Sequence, residues 1–527
     1  MALFVKQKPP TGLLAAYDDN VIVIGQTPGT GVNWNLNNIE NFSFGLKLFI
    51  RPTDSETTTH SRILLAKPNA EDKGVFNIST TLQDFVSSDK EVYDYSLPAG
   101  DFHRASVDGN VVTSTTPHPI HHIDAFSRNK NAMSKCTIYM FITYYDSATN
   151  INYSQVDFTE IHPYGAHGGY CFFNGTADYN RVAFGGESYG MRKYLTTFQL
   201  FHDNGANRFL STLAPTTNRK VRSTDHHTFT FLNGKFPSHT SSGTGFGSAA
   251  DTFTSGFQQL VIKYYTSADV LIDTGVITFT DDLGGDNEAN PGTGGFPDVG
   301  YEGEGDDDTP NNFANSGMWF GNDNGLYYAG VGPGNLLQDG NYQDSAYYTV
   351  QARLDPALAG NNDETCSALY RFDIQDDDCR GYETIRLCWL NRLGGWEYFN
   401  FTKKSTRTTN IKRSTFRKTR GNWDGNYYTG NPWDGGTRNF NVDSVENIEC
   451  NTDYLTEDEA ATMEDLFTSP EVYMKVGSGY ESISNVSTWE SVVVTEKDYT
   501  LQTTANDKLK QYILNIEIAN KVRVQRI

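Results

Sequence analysis

Residues 367–420 read SALYRFDIQDDDCRGYETIRLCWLNRLGGWEYFNFTKKSTRTTNIKRSTFRKTR. Tyr370, Phe372 and Ile374 alternate with Arg371, Asp373 and Gln375, the period of a half-buried strand. Arg386-Leu387-Cys388-Trp389-Leu390 predicts a second strand. Gly394-Gly395 makes the turn, and Trp396, Tyr398 and Phe399 open a third. The pattern describes a sheet that holds something together, with no cleft chemistry in it.

Composition points the same way. The chain has 527 residues, enough for three or four domains, each able to bury a sizeable core. Apolar residues are only 37%, but 30 Tyr, 32 Phe and 7 Trp restore the area, and 48 Gly favour turns. The expected fold class is mainly β: several β-sandwich-like domains with irregular Gly/Asn-rich loops and one or a few short helices. A net charge of −22 repels nucleic acid and anionic membranes and keeps the molecule dispersed. The six cysteines include no CxxC and form no disulfide framework. The N-terminal MALFVKQKPPTGLL has no apolar core of a secretory signal, and no stretch approaches the ~18 apolar residues of a membrane span. The expectation is folding in a reducing cytoplasm with free thiols.

Along the chain, Phe42, Phe44, Leu46, Leu48 and Ile50 give the cleanest strand, apolar on one face. Residues 79–86 predict a short helix. Ile138–Tyr145 and Tyr153–Phe158 flank a polar hairpin loop, and a first β domain is placed at 1–165. A second β domain spans 166–285. Residues 281–308 hold ten acids and no base among many Gly and Pro, so 286–345 is assigned as an acidic Gly-rich linker or loop insertion. The last domain, 346–527, carries a helix near 457–468. Thr456 and Glu459 form its capping box, and Ser469-Pro470 ends it. Tyr512, Leu514, Ile516 and Ile518 alternate as a closing strand.

Candidate chemistry is sparse. His118, His121 and His122, with His226 and His227 beyond, lack the Cys or Glu partners a zinc site needs. The acids of 281–308 do not follow calcium-loop spacing and read as a solvated loop. No GxSxG elbow and no Walker A loop occurs, and the aromatics read as core before sugar platforms. No catalytic, cofactor or metal residue is nominated. The basic run is the exception: Lys403, Lys404, Arg407, Lys412, Arg413, Arg417, Lys418 and Arg420, with no acid among them. Nucleic acid is the sharp reading. Interleaved Thr and Ile on an otherwise acidic chain favour contact with an acidic surface of a neighbouring subunit. Trp319, Phe320, Tyr327 and Tyr328, in a stretch read as a surface loop, are further interface candidates.

Phrases spread over most of the chain carry a family resemblance. They are Ala15-Ala16-Tyr17-Asp18-Asp19-Asn20, Lys67-Pro68-Asn69 with Gly74-Val75-Phe76-Asn77-Ile78, and Phe173-Asn174-Gly175. Arg208-Phe209-Leu210, Phe231-Leu232-Asn233-Gly234 and the closing Ala519-Asn520 before Lys521-Val522-Arg523-Val524-Gln525 follow. The strongest is Trp389-Leu390-Asn391-Arg392-Leu393-Gly394-Gly395-Trp396-Glu397-Tyr398-Phe399. In these the chain resembles virion structural proteins of tailed phages, of tail and baseplate type, from phages infecting Bacteroidetes-like marine bacteria. The resemblance implies a non-enzymatic assembly protein of the virion, made in the host cytoplasm, whose partners are copies of itself and other virion proteins. It brings no functional residues with it, and neither membrane nor nucleic acid is an expected partner. A glycan-binding adhesin at the tail tip is the second reading, with a host-surface glycan as partner; a polysaccharide-degrading enzyme is the third.

Overall fold

The computed structural model of the chain describes residues 3–9, 13–27, 38–52, 58–90, 120–123, 126–129, 131–162, 170–176, 208–233, 236–237, 253–254, 259–278, 325–335, 344–353, 367–376, 381–421, 430, 432–433, 435–476, 489–496, 498, 510–519 and 524–526. It is mainly β and divides into two compact units. The first comprises Met1–Gln375 with Asn391–Glu397 and Ser482–Ser484; the second comprises Asp376–Leu390, Tyr398–Glu481 and Asn485–Ile527.

In the first unit, β1 (Leu3–Gln7), β3 (Val21–Gln26) and β6 (Lys73–Asn77) form a three-stranded sheet in the order β1-β3-β6. A second sheet runs β2 (Leu13–Ala15), β10 (Tyr170–Phe173), β8 (Met133–Asp146), β4 (Ile39–Pro52), β5 (His60–Ala66), with β9 (Ile151–Ile161) also on β8. The alternation along β4 is realised: Phe42, Phe44, Leu46, Leu48 and Ile50 are buried, against Ile138, Met140 and Ile142 of β8 and Ile22 and Ile24 of β3. The hairpin expected over 138–158 is β8–β9, and the short helix is α1 (Ser79–Gln83).

A second core of the same unit lies between two further sheets. One orders β11 (Arg219–Val221), β19 (Tyr370–Ile374), β18 (Tyr347–Arg353), β15 (Gln259–Tyr265) and β16 (Leu271–Thr278). The other orders β12 (Thr228–Asn233), β17 (Gly325–Gly330) and β7 (Phe126–Arg128). β13 (Phe236–Pro237) and β14 (Phe253–Thr254) pair separately. Aromatic rings fill this core, among them Phe209, Phe229, Phe231, Tyr264, Tyr327, Tyr348, Tyr370 and Phe372. Phe209 stacks on Phe229 at 4.3 Å and Tyr348 on Phe372 at 4.8 Å. Such rings each bury some 150–250 Å². The Arg219 guanidinium is buried beside them, 4.8 Å from the Tyr370 ring, and donates to Ser211 Oγ at 3.0 Å and to the Leu213 carbonyl at 3.1 Å.

Burial sets the titration of this core. The Tyr370 hydroxyl accepts from the Phe209 amide at 3.1 Å, and burial pushes its phenol up to about 12. Tyr328 donates to Asp89 Oδ2 at 3.0 Å; burial, then the Asp89 charge, raises it well above the usual range. A raised phenol stabilises the folded state fully below the unfolded value of about 10, and that contribution is lost as pH rises through the folded value. For Tyr370 the loss is about 3 kcal/mol. The expected outcome is a steep fall of first-unit stability between about pH 10 and 12, with tyrosinate absorbance rising together with unfolding. Ionisation of Tyr370 itself in the folded protein near pH 10, read as the difference between the natural chain and Tyr370→Phe, would refute it.

Among the described residues the second unit is one sheet on one helix. Its strand order is β21 (Trp396–Phe401), β20 (Ile385–Leu390), β24 (Val472–Lys475), β25 (Trp489–Val494), β26 (Ile513–Ile518), β23 (Gly436–Asn451), β22 (Thr406–Lys418), with β27 (Val524–Arg526) also on β23. Helix α2 (Glu457–Thr468) begins at the expected capping box: Glu459 N–H donates to Thr456 Oγ1 at 3.3 Å, and Thr456 N–H to Glu459 Oε2 at 2.8 Å. Ala460, Met463 and Leu466 bury its apolar stripe against Leu387, Trp389, Ile448, Leu514 and Ile516. Cys136 and Cys171 of the first unit and Cys388 and Cys450 of the second are buried thiols in no disulfide; burial raises the thiols of Cys136 and Cys388 and brings Cys450 to about 12.

The domain expectations need three corrections. β10 lies beyond residue 165 yet pairs with β2 and β8, so no boundary falls there. β17 lies inside the stretch assigned to a linker and is a core strand, because Tyr327 and Ala329 supply area to the second core. β18 and β19 pair with β15 across residue 346, and the units part after Gln375. Residues 281–308, and with them the acidic loop, lie outside the described residues.

Candidate assembly surface

The basic run becomes β22, and the reason is local: Thr406, Thr408, Thr409, Ile411, Thr415 and Phe416 favour extended backbone, with no Gly or Pro in the strand. β22 and β23 form an antiparallel ribbon from Thr406↔Glu449 to Lys418↔Gly436. Ser414 faces Asn441 and Thr415 faces Asn439, so Phe440 is the extra residue of a bulge on β23, and the alternation of β22 is unbroken. At about 3.4 Å per residue the strand is about 44 Å long. All thirteen of its residues are exposed, on both faces. β23 is held further by β26 at Asn447–Asn451 and by β27 at Asn441–Asp443, whereas β22 ends the sheet.

The nominated cations divide into two groups. At the root, Arg407 clamps Glu383 with Nη2–Oε1 at 2.6 Å and Nε–Oε2 at 3.1 Å, and reaches Glu446 Oε1 at 2.8 Å. These bonds hold its guanidinium above the ordinary arginine range. Lys403 pairs with Asp453 at 2.7 Å. These two serve the unit's own architecture. Further along, Lys412, Arg413 and Arg417 are exposed and make no ion pair among the described residues; Lys404, Lys418 and Arg420 are exposed beside them. In register, Lys412 stands opposite Asp443, Arg413 opposite Val442 and Arg417 opposite Thr437.

The far end carries aromatic groups that the sequence reading missed. Phe416 and Phe440 meet edge to face at 6.5 Å, with Phe440 54% exposed, and Trp433 is 74% exposed. Arg438 donates to the Trp433 carbonyl. Exposed Trp, Phe and Arg together are the composition of an interface anchor. The signal was available: aromatics inside a basic stretch with no apolar period to place them in a core.

Of the second nominated group, Tyr327 and Tyr328 are each 1% exposed on β17 and therefore belong to the core of their own unit, not to an interface. Trp319 and Phe320 lie outside the described residues. Buried His121 packs edge-on against Trp396, and His227 against Phe229 and Phe372, so these rings serve packing; His118 lies outside the described residues. Among the described residues no group of three or more His, Cys, Asp or Glu could hold a metal, and no helix is long and apolar enough to cross a membrane.

A second exposed surface lies on the outer face of the β4–β8–β9 sheet. Tyr139 and Phe158 stack at 4.5 Å with 9° between planes, and Phe49 meets Tyr139 edge to face at 5.6 Å. Lys47 Nζ lies 4.9 Å from the Phe49 ring. Tyr139 is hydrogen-bonded to Glu160 and its phenol is raised, first by burial and then by that carboxylate. Phe158 remains 42% exposed.

No protein-family model matches the chain, and no curated protein matches it.

Proposed function

We propose that this chain is a structural component of a tailed-phage virion, in the tail or baseplate, that acts by subunit assembly and performs no catalytic step. The observation that carries the reading is the β22–β23 ribbon. A strand of thirteen residues exposed on both faces gains almost nothing from its own fold's core. Among the described residues its outer edge pairs with no strand, and such an edge is a template for another chain. Its exposed Trp433, Phe440, Lys412, Arg413 and Arg417 supply the anchor types that bind partner proteins. On a chain of net charge −22 this cationic ribbon meets a complementary field on another copy. The tailed-phage setting comes from the resemblance of the sequence phrases.

The test is quantitative mass spectrometry of purified particles. A copy number in multiples of three or six is the expected result, since closed assemblies are symmetric. Absence of the chain from particles would end the reading. A second reading, a glycan-binding adhesin, draws on the Tyr139–Phe158 platform, because a flat aromatic face beside a carboxylate and an ammonium suits a sugar ring. It predicts glycan-array binding that Phe158→Ala removes.

A further inference from the structure

We propose that the ribbon docks on helix α2 of a second copy of the chain. The face of β22 that carries Arg413, Thr415 and Arg417 lies along the exposed stripe Glu457, Ala461 and Glu464 of that helix. The inference rests on the ribbon being a subunit contact and names what it contacts.

The two surfaces are opposite in sign and each is of one sign. Over residues 410–421 and 435–443 the ribbon holds Lys412, Arg413, Arg417, Lys418, Arg420 and Arg438 against the single acid Asp443. From Tyr454 to Pro470 the helix and its flanks hold Glu457, Asp458, Glu459, Glu464 and Asp465 with no Lys or Arg. Glu459 is spent on the capping box and Asp465 is buried, whereas Glu457, Asp458 and Glu464 are exposed. Glu457 and Glu464 make no ion pair among the described residues. Both surfaces also carry exposed aromatic groups: Trp433 and Phe440 on the ribbon, Tyr454 beside the helix start. Anchors of this type pair with anchors on the partner.

The ribbon cannot satisfy itself on its own helix. α2 packs over β20 and against Ile448, which stands opposite Arg407 at the root of the ribbon. Arg417 lies ten residues further along β22, about 34 Å at about 3.4 Å each and well beyond the roughly 8 Å over which exposed charges act in physiological salt. Ribbon on ribbon, or helix on helix, would set like charges together. Each copy therefore gives one surface and receives the other.

The local geometry matches. On α2, Glu457, Ala461, Glu464 and Thr468 follow at intervals of four, three and four, so they form one stripe, all of it exposed. The buried Ala460, Met463 and Leu466 occupy the opposite side. On β22, Arg413, Thr415 and Arg417 alternate onto one face, and the bulge lies on β23, so that face is regular. Each row reads charged, small, charged. The arginines are about 14 Å apart along the strand and the glutamates about 10.5 Å apart along the helix, a difference that flexible arginine stems absorb. Two guanidinium–carboxylate pairs then form with Thr415 over Ala461 between them.

The test uses the full chain in sedimentation velocity at low and high salt, with duplex DNA as a separate probe. One variant reverses the ribbon (Arg413→Glu, Arg417→Glu), and another reverses the helix stripe (Glu457→Lys, Glu464→Lys). The expected result is salt-sensitive association of the natural chain, weakened at least about tenfold in each variant alone and restored when the two are mixed. Mixing also controls for folding, because a misfolded variant restores nothing. Ala461→Gln changes no charge and keeps a good helix former; it is expected to weaken association at least about threefold, which unspecific attraction between charged patches would not show. A natural chain that stays monomeric, a reversal or an Ala461→Gln change without effect, or a mixture that fails to associate overturns the proposal. Duplex DNA bound by the natural chain and lost on ribbon reversal, with association unmoved, assigns the ribbon to nucleic acid and also overturns it. Association lost on ribbon reversal but not on helix reversal keeps the ribbon as a subunit contact and removes α2 as its partner. A chain missing from particles whose variants are restored by mixing keeps this contact and removes the virion reading.

Discussion

Asn391→Ala is expected to lower the stability of the first unit by about 3–5 kcal/mol. The side chain is buried and organises the turn in the Trp389–Phe399 phrase. Its Oδ1 accepts from Leu393 N–H at 3.0 Å and from Gly395 N–H at 2.9 Å. Its Nδ2 donates to the Leu210 carbonyl at 2.9 Å and to Glu397 Oε1 at 3.3 Å. Alanine leaves two amides and one carbonyl buried without these partners, at about 1–3 kcal/mol each, and the sum is reduced by local relaxation. Glu397 would also lose a donor while still accepting from the Thr212 amide at 2.7 Å. The measurement is denaturant unfolding, read as a fall in midpoint at constant slope. A change below about 1 kcal/mol would show that water replaces the amide without penalty.

The two glycines that follow carry the second large effect. A Cβ at Gly395 would sit 2.0 Å from the Leu210 carbonyl oxygen, and one at Gly394 would sit 2.2 Å from that of Asn174. Both obstacles are backbone. Gly394 adds a φ of +83°, a conformation in which a side chain is strained. Gly395→Ala and Gly394→Ala are each expected to cost more than about 4 kcal/mol or to abolish folding of the first unit. Gly381→Ala separates the two causes: its φ is +86°, but nothing lies within 4 Å of its Cβ position. There the expected cost is only about 1–2 kcal/mol. Circular dichroism melts of the three variants decide it, and equal losses at Gly381 and Gly395 would remove steric contact as the cause.

Most strands were legible because burial on one face writes a period of two into the sequence. Phe42 to Ile50 and Leu514 to Ile518 are such cases, and Thr456 with Glu459 wrote the start of α2 in the same local way. Partnership was not legible. The strands at Tyr370 and Arg386 look like neighbours in sequence, yet the first joins β11 and β18 and the second joins β21 and β24. Periodicity reports which face is buried and is silent on what covers it. β17 escaped because Gly325 and Gly330 close a short apolar run inside a Gly-rich stretch. On the ribbon, the charges could be read but their use could not. Arg407 finds Glu383 across 24 positions of chain, a distance no local pattern records.

The four buried thiols have a consequence for chemical ageing. Oxidation, thiol exchange and alkylation all begin at an accessible thiolate. Cys136, Cys388 and Cys450 are held as neutral thiols away from solvent, and Cys171 is enclosed beside Cys136's strand. These positions offer no starting point for covalent change when reductant disappears. Among the described residues, then, exposure to air finds no thiol placed to form a new bond, and the folded protein keeps the bonds it has at these four positions.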